Sequence, residues 1–133
     1  MLMDTNGHTI LSEDYVSFEV AKLLKEKGFI ERSAASYDSK GQLKEGYAYW
    51  NKTPIWYAAP THQMAMKWLR EVHKLTFIIS PQWAEGYMRN PCRWYWEIRG
   101  LEDINIDVYN NPLCNTYEQA VEAALKHCLE NLI

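Results

Sequence analysis

The chain contains three stretches in which apolar residues recur at the three- and four-residue spacing of an amphipathic helix. In the first stretch, one face carries Val16, Val20, Leu23, Leu24 and the stem of Lys27. Ser12 or Ser17 is suited to cap the start of this helix, and Gly28 follows where helices commonly end in a left-handed residue. The pattern predicts a helix that ends at about Gly28.

The second stretch follows Pro60, which disfavours a helix before it, and Thr61, which is a good N-cap residue. Its apolar positions at helical spacing are Met64, Ala65, Trp68, Leu69 and Val72. Its polar positions, mainly on the other side, are Lys67, Arg70, Glu71 and Lys74. We therefore predict an amphipathic helix of about three turns.

The third stretch has the clearest pattern in the sequence. Thr116 and Gln119 have the spacing of a capping box, in which two side chains satisfy free N–H groups at a helix start. One broad apolar stripe follows and comprises Tyr117, Ala120, Val121, Ala124, Leu125, Cys128 and Leu132. The stripe predicts a helix that runs nearly to the last residue, with Cys128 as a small core residue.

Strand patterns fill the segments between these helices. The run "LTFIIS" at 75–80 predicts a buried strand that ends at Pro81. "RWYWEIRG" alternates, with Trp94, Trp96 and Ile98 on one face, and "INIDVY" does the same with Ile104, Ile106 and Val108. Residues 100–103 are few enough for a hairpin connection. The pattern is weaker from 30 to 57, where residues 38–41 predict a turn between two paired segments.

The predicted order is a helix, a strand pair, a helix, three strands and a helix. Strands clustered between helices with short links predict an α+β domain with a three-stranded or larger antiparallel sheet. The helices are expected to pack on one face of that sheet, with Trp94 and Trp96 beneath them. A length of 133 residues predicts a single domain, 1–133, within which residues 61–132 form the helix, three-strand and helix module.

Composition narrows the setting and the class of partner. Seventeen acidic against fourteen basic residues give a net charge of -3, which disfavours long-range attraction to nucleic acid. The N-terminus lacks the pattern of a secretory signal, and no run of eighteen apolar residues predicts a membrane span. Three cysteines without CxxC spacing fit a reducing compartment. We expect a soluble, cytoplasmic protein.

No local motif predicts catalysis, a metal or a cofactor. His62 and His73 are eleven residues apart, so they do not share a helical face as ligand pairs do. The sequence has no nucleotide-binding glycine loop and no G-x-S-x-G hydrolase motif. Four acids of the predicted hairpin could gather as catalytic carboxylates, although acids on the wet face of a sheet are commoner: Glu97, Glu102, Asp103 and Asp107. We expect a protein that is not an enzyme.

The high aromatic content points instead to binding, because tyrosine and tryptophan are frequent at interfaces. Six Trp and nine Tyr are more than a core of this size requires. The predicted contact patch is the 81–91 loop with the start of the next strand, comprising Trp83, Tyr87, Met88, Arg89, Arg93 and Tyr95. An alternative is that Trp83 and Tyr87 fold back on the core. The expected partner is another protein or a second copy of the chain.

Residues 61–132 have an element order similar to that of a double-stranded RNA-binding domain. In that family a lysine cluster at the start of the last helix contacts phosphates, whereas this chain has "CNTYEQ" at 114–119, with no lysine and one acid. The similarity therefore covers topology alone. The alternative function it suggests is nucleic-acid binding through Arg70, Lys74, Arg89, Arg93 and Arg99, which would require these residues to converge on one face.

A second resemblance spans most of the chain. The segments "YVSFEVAKLLKEKGF", "APTHQMAMKWLREVHKL" and "TYEQAVEAALKHCLENLI", in this order, resemble segments of small uncharacterised proteins from phage and prophage regions of anaerobic gut bacteria. The resemblance implies a setting and no mechanism. It predicts an accessory protein that acts inside a bacterial cell.

Overall fold

The computed structural model of the protein describes residues 2–3, 9–10, 14–82, 92–109 and 113–133. Its three helices are α1 (Phe18–Glu26), α2 (His62–Val72) and α3 (Tyr117–Asn131). Each begins at a hydroxyl cap: the side chains of Ser17, Thr61 and Thr116 accept hydrogen bonds from backbone N–H groups of the first turn. The helix starts predicted at Thr61 and Thr116 are confirmed. Of the two caps considered for the first helix, Ser17 is the one that forms.

Eight strands form three antiparallel sheets among the described residues. The strands are β1 (Leu2–Met3), β2 (Thr9–Ile10), β3 (Ser33–Tyr37), β4 (Leu43–Ala48), β5 (Tyr57–Ala58), β6 (Leu75–Gln82), β7 (Arg93–Gly100) and β8 (Asp107–Tyr109). The sheet orders are β1-β2, β4-β3-β5 and β6-β7-β8, and one 3-10 helix, Trp50–Lys52, lies between β4 and β5. This is the predicted α+β class. The segment from 30 to 57 supplies a hairpin as predicted, and β5 makes it a sheet of three.

The main core lies between the helices and one face of the β6-β7-β8 sheet. Phe77 and Ile79 of β6 are paired with Ile98 and Trp96 of β7; the two β7 residues belong to the buried core, and the two β6 residues are partly buried against it. Helix α3 contacts β6 and β7, while α2 contacts β6, so both helices cover this same inner face. Trp96 and Ile98 are buried, as the alternation predicts. Among the described residues, no helix is long and apolar enough to cross a membrane.

The β3–β4 hairpin is held to α1 at its turn. The Asp38 carboxylate accepts hydrogen bonds from the N–H groups of Lys40 and Gln42, both at 2.9 Å. These two bonds, Gln42 first, lower the pKa of Asp38. Gly41 has φ +81°, and a Cβ built there would lie 2.8 Å from the ring of Phe18. Only glycine therefore permits this close packing of the turn on α1.

Strand β6 does not end at Pro81, contrary to the prediction. It continues to Gln82, and Pro81 lies opposite Trp94 of β7. Trp94 directs its backbone N–H and C=O to Cys114 on the other side, at 2.7 and 2.8 Å. The Pro81–Trp94 pair therefore needs no ladder hydrogen bond, and a residue without an N–H fits this edge position.

The predicted strand at 104–109 is shorter than expected. Strand β8 begins at Asp107, and Ile104 lies in a turn with 92% of its surface exposed. The carbonyl of Asp103 accepts from the N–H of Ile106 at 3.2 Å, and the Asp103 carboxylate accepts from the N–H of Asn105 at 3.0 Å. These local bonds curl the chain into a turn, which takes Ile104 out of the strand alternation.

Helix α2 buries a different face from the predicted one. Ala65, Trp68 and Leu69 are buried as expected, but Met64 and Val72 are exposed while His62 and Met66 are buried. Strand β6 and helix α3 pack against the side of α2 that carries Met66 and His62. The opposite flank, with Met64 and Val72, is left facing an open cleft beside β4.

Candidate functional site

Most of the contact patch predicted from the sequence lies outside the described residues; this applies to Trp83, Tyr87, Met88 and Arg89. The structure therefore places only Arg93 and Tyr95 of that patch. Both are half-buried on β7, whose alternation directs them to the face opposite Trp94 and Trp96. The alternative for Trp83 and Tyr87, a lid on the core, also stays a prediction.

Tyr95 is engaged in a polar cluster on this outer face. Its hydroxyl donates a hydrogen bond to Glu97, and Arg99 Nε donates to the other oxygen of the same carboxylate. The bond to Glu97 raises the pKa of Tyr95 to about 12, and the same bond lowers the pKa of Glu97. The Oδ1 atom of Asp107 lies 4.0 Å from Nε of Arg99. Two carboxylates of this face, Glu97 and Asp107, therefore lie beside the single guanidinium of Arg99.

The structure does not bring the basic residues of the nucleic-acid alternative together. Arg93 and Arg99 lie six residues apart on β7, which corresponds to about 20 Å along a strand. Arg70 is exposed on α2, which covers the opposite face of the same sheet. Lys74 follows the end of α2, and Arg89 lies outside the described residues. Of these basic residues, Arg99 also forms an ion pair with Glu97.

The acids and histidines are likewise separated. Glu102 and Asp103 are exposed in the turn before β8, whereas Glu97 and Asp107 flank Arg99. The ring centroid of His73 lies 4.8 Å from that of Trp68, and the His62 ring is hydrogen-bonded to Glu122. Within the described ranges, no group of three or more His, Cys, Asp or Glu side chains is arranged to hold a metal ion.

A cleft of about 320 Å³ opens between β4 and the exposed flank of α2. We call it the tyrosine cleft, and its apolar and aromatic lining consists of Tyr47, Tyr49, Met64, Trp68 and Val72. Tyr47 and Tyr49 are 60% and 47% exposed, and Val72 and Met64 are 55% and 39% exposed. Large side chains with this exposure, gathered in one concave place, are the usual mark of a contact surface.

Cations stack on both tyrosines of the cleft. The Arg32 guanidinium carbon lies 4.0 Å from the ring centroid of Tyr47 and 5.6 Å from that of Tyr49. On the same Tyr49 ring, Lys52 Nζ lies 4.4 Å from the centroid. The positive charge is attracted by the negative faces of the rings. The exposed tyrosines are thus held in place without being buried.

The floor of the cleft is connected to the core through Trp68. This ring is nearly buried and makes edge-on contacts with Phe29 at 5.3 Å and with His73 at 4.8 Å. Burial lowers the pKa of His73, so the imidazole under the cleft favours its neutral form. A rigid aromatic floor reduces the entropy that a partner must overcome on binding.

The segment that follows Tyr49 is fixed by side-chain bonds to the backbone. Asn51 donates to the carbonyl of Phe29 and accepts from the N–H of Ala58, both at 2.7 Å. Lys25 Nζ donates to the carbonyls of Thr53 and Trp56 at 2.7 and 2.8 Å. These contacts hold the 3-10 segment against α1 and the β4-β3-β5 sheet, and so fix one wall of the cleft.

Sequence reasoning missed the tyrosine cleft because it depends on contacts between residues far apart in the chain. Tyr47 and Tyr49 lie in the segment with the weakest pattern, and Met64 and Val72 fit an apolar helical face that is buried in most proteins. One signal was available. The predicted hairpin turn places Tyr47 and Tyr49 across from residues near Arg32, and Ser33 is indeed paired with Ala48.

A second feature that the sequence did not indicate is a buried polar contact between helices. His62 Nε2 and Glu122 Oε1 are 2.8 Å apart, and the same oxygen accepts a hydrogen bond from the N–H of Ser17 at 2.9 Å. Burial raises the pKa of Glu122, but the bonds from His62 and Ser17 together outweigh it, so that the pKa is lowered. The contact joins the starts of α1 and α2 to the middle of α3.

Comparison with known proteins adds no assignment to these features. No protein-family model matches the chain, no curated protein matches it, and no solved structure matches it.

Proposed function

We propose that this chain is a non-enzymatic phage or prophage accessory protein that acts inside a bacterial cell by binding another protein or a second copy of itself. The observation that carries the proposal is the tyrosine cleft. It places two exposed tyrosines, a stacked arginine and two exposed apolar side chains of α2 in one concave surface.

The composition of the cleft supports protein binding in particular. Tyrosine, arginine and methionine are enriched at protein interfaces, and tyrosine and arginine dominate the binding energy of many of them. Each tyrosine offers a large contact area and loses little conformational entropy, since Arg32 and Lys52 already restrict the rings. A small cofactor would instead call for a more enclosed pocket.

The phage setting rests on the sequence resemblance. It suits a small protein with a contact surface and without a recognisable catalytic motif. The alternative of nucleic-acid binding is less well supported, because the described arginines Arg70, Arg93 and Arg99 lie on opposite sides of one sheet. The loop patch with Trp83 and Tyr87 stays a prediction for a second contact region.

A retention experiment tests the proposal. Immobilised wild type, the double variant Tyr47→Ser with Tyr49→Ser, and the matched control Tyr109→Ser are incubated with lysate of a host bacterium. Tyr109 is as exposed as Tyr47 but lies on β8, away from the cleft. We expect a protein that wild type and control retain and the double variant loses. Sedimentation velocity of the same three proteins tests self-association.

Two outcomes would remove the proposal. One is retention of the same proteins by all three baits together with a monomer at every concentration. The other is tight binding of duplex RNA or DNA at low salt that survives the loss of both tyrosines. Circular dichroism of each variant confirms that the fold is kept.

A further inference from the structure

We infer that the tyrosine cleft takes a peptide segment in which an acidic residue stands next to a bulky apolar one, with the carboxylate held by Arg32. This inference rests on the proposed function and names the chemistry of the partner. Three observations support it: the guanidinium of Arg32, which has no ion pair among the described residues, the apolar wall of α2, and the charges that line the cleft.

Arg32 has its charge available for a partner. Among the described residues, its guanidinium has no ion pair and no side-chain hydrogen bond, and its contacts are those with the rings of Tyr47 and Tyr49. Stacking uses the flat face of a guanidinium and leaves the N–H groups at its edge directed outward in the same plane. A carboxylate can accept two such N–H groups in parallel, which is the strongest geometry for this pair.

The opposite side of the cleft offers an apolar surface. Met64 and Val72 are exposed on α2, and Trp68 forms the floor between them and the tyrosines. A volume of about 320 Å³ is at the small end of the range of ligand pockets, which is about 300 to 1,000 Å³. It accommodates one or two side chains of a peptide. The anion on Arg32 and an apolar side chain on Met64 and Val72 would therefore be neighbours in the partner.

The remaining charges select a single carboxylate over a polyanion. Lys67 lines the cleft from α2 and, within the part of the chain that the structure describes, has no ion pair. Glu31 and Glu71 line the same cleft and would repel the successive phosphates of a nucleic acid. A single carboxylate at Arg32 brings one negative charge to this lining, whereas successive phosphates would bring several.

Peptide titration tests the inference with probes of defined chemistry. The probes are acetylated and amidated tripeptides, one with aspartate between two leucines and one with asparagine in its place. Each is added to the ¹⁵N-labelled full chain, and the indole N–H of Trp68 is followed by NMR in every protein, together with the Nε–H of Arg32 in the proteins that retain this residue. The proteins are wild type, Arg32→Gln and the control Arg70→Gln, which removes an exposed arginine outside the cleft.

We expect wild type and Arg70→Gln to bind the aspartate peptide about tenfold more tightly than the asparagine peptide, as a charge-assisted hydrogen bond predicts. Arg32→Gln should reduce this ratio to about one. The inference is overturned if the two peptides bind equally, if neither binds, or if the shifts map away from the cleft. An equal effect of Arg70→Gln would also overturn it. Protein retention that depends on Tyr47 and Tyr49 would then still support the proposed function.

Discussion

Glu122 Oε1 lies 2.8 Å from His62 Nε2, although sixty residues separate the two in the sequence. The backbone N–H of Ser17 donates to the same oxygen at 2.9 Å. His62 is buried at the first turn of α2, Ser17 caps α1, and Glu122 lies in the middle of α3. One half-buried carboxylate therefore accepts hydrogen bonds from groups at the starts of two helices and fixes how they meet the third.

Replacement of Glu122 by alanine should destabilise the protein by about 2 kcal/mol, because it leaves the N–H of Ser17 and the ring of His62 without their acceptor. Urea unfolding at pH 7 measures the change. The matched control is Glu130→Ala, also on α3, where an exposed carboxylate lies 3.9 Å from Lys126. This control should have little effect. Equal losses in the two variants would show that the Glu122 contact contributes nothing specific.

The free energy of unfolding should fall in acid in two steps, because the folded protein lowers the pKa of both His73 and Glu122. Burial lowers the pKa of His73 from 6.5, so the unfolded chain binds the proton more readily, and stability is lost as the pH falls below about 6.5. The pKa of Glu122 is lowered from 4.5, since the bonds from His62 and Ser17 outweigh burial. Its contribution is complete above about 4.5 and is lost as the pH falls through the folded value.

Unfolding by urea at pH 7.5, 5.5 and 4 separates the two steps. The variant His73→Gln should flatten the change between pH 7.5 and 5.5, and Glu122→Gln should reduce the loss at the acid end. Asp38 and Glu97 also have lowered pKa values, so some acid loss remains in every variant. A wild-type stability that rises as the pH falls from 7.5 to 5.5 would contradict the sign derived for His73.

Two buried serines of β3 should respond in opposite ways to replacement by alanine. The hydroxyl of Ser36 is buried and has no hydrogen-bond partner among the described residues, whereas that of Ser33 donates to the carbonyl of Ala35 at 2.8 Å. Ser36→Ala removes an unsatisfied polar group and should be neutral or stabilise by up to about 1 kcal/mol. Ser33→Ala should cost about 1 kcal/mol. Thermal unfolding of both variants tests the pair, and a larger loss at Ser36 would refute it.

The parts of the fold that depend on neighbouring residues could be predicted from the sequence. Thr61 and Thr116 cap their helices because a hydroxyl reaches the N–H three residues on, whatever surrounds it. The stripe of α3 predicted five of its six buried residues, all but Leu129, for a similar reason, since a wide apolar face on a fifteen-residue helix has to be covered. The turn at Asp38 is likewise determined within a few residues.

The predictions that were wrong concern residues whose surroundings are set by elements distant in the sequence. A helical pattern gives the direction of an apolar face but not how far its cover extends, so Met64 and Val72 were expected in the core and are exposed. For the same reason the burial of His62 could not be predicted, since it depends on a carboxylate from a helix that is distant in the sequence. Pro81 and Ile104 were misplaced because hydrogen bonds to Cys114 and within the Asp103 turn decide their surroundings.

The burial of Cys128 has a practical consequence. Its thiol is fully enclosed within α3, and burial raises its pKa to about 12, so almost none of it is present as the reactive thiolate at neutral pH. A thiol-specific reagent can therefore modify this sulfur only when the packing around α3 opens. The labelling rate of Cys128 therefore reports the opening of this part of the core.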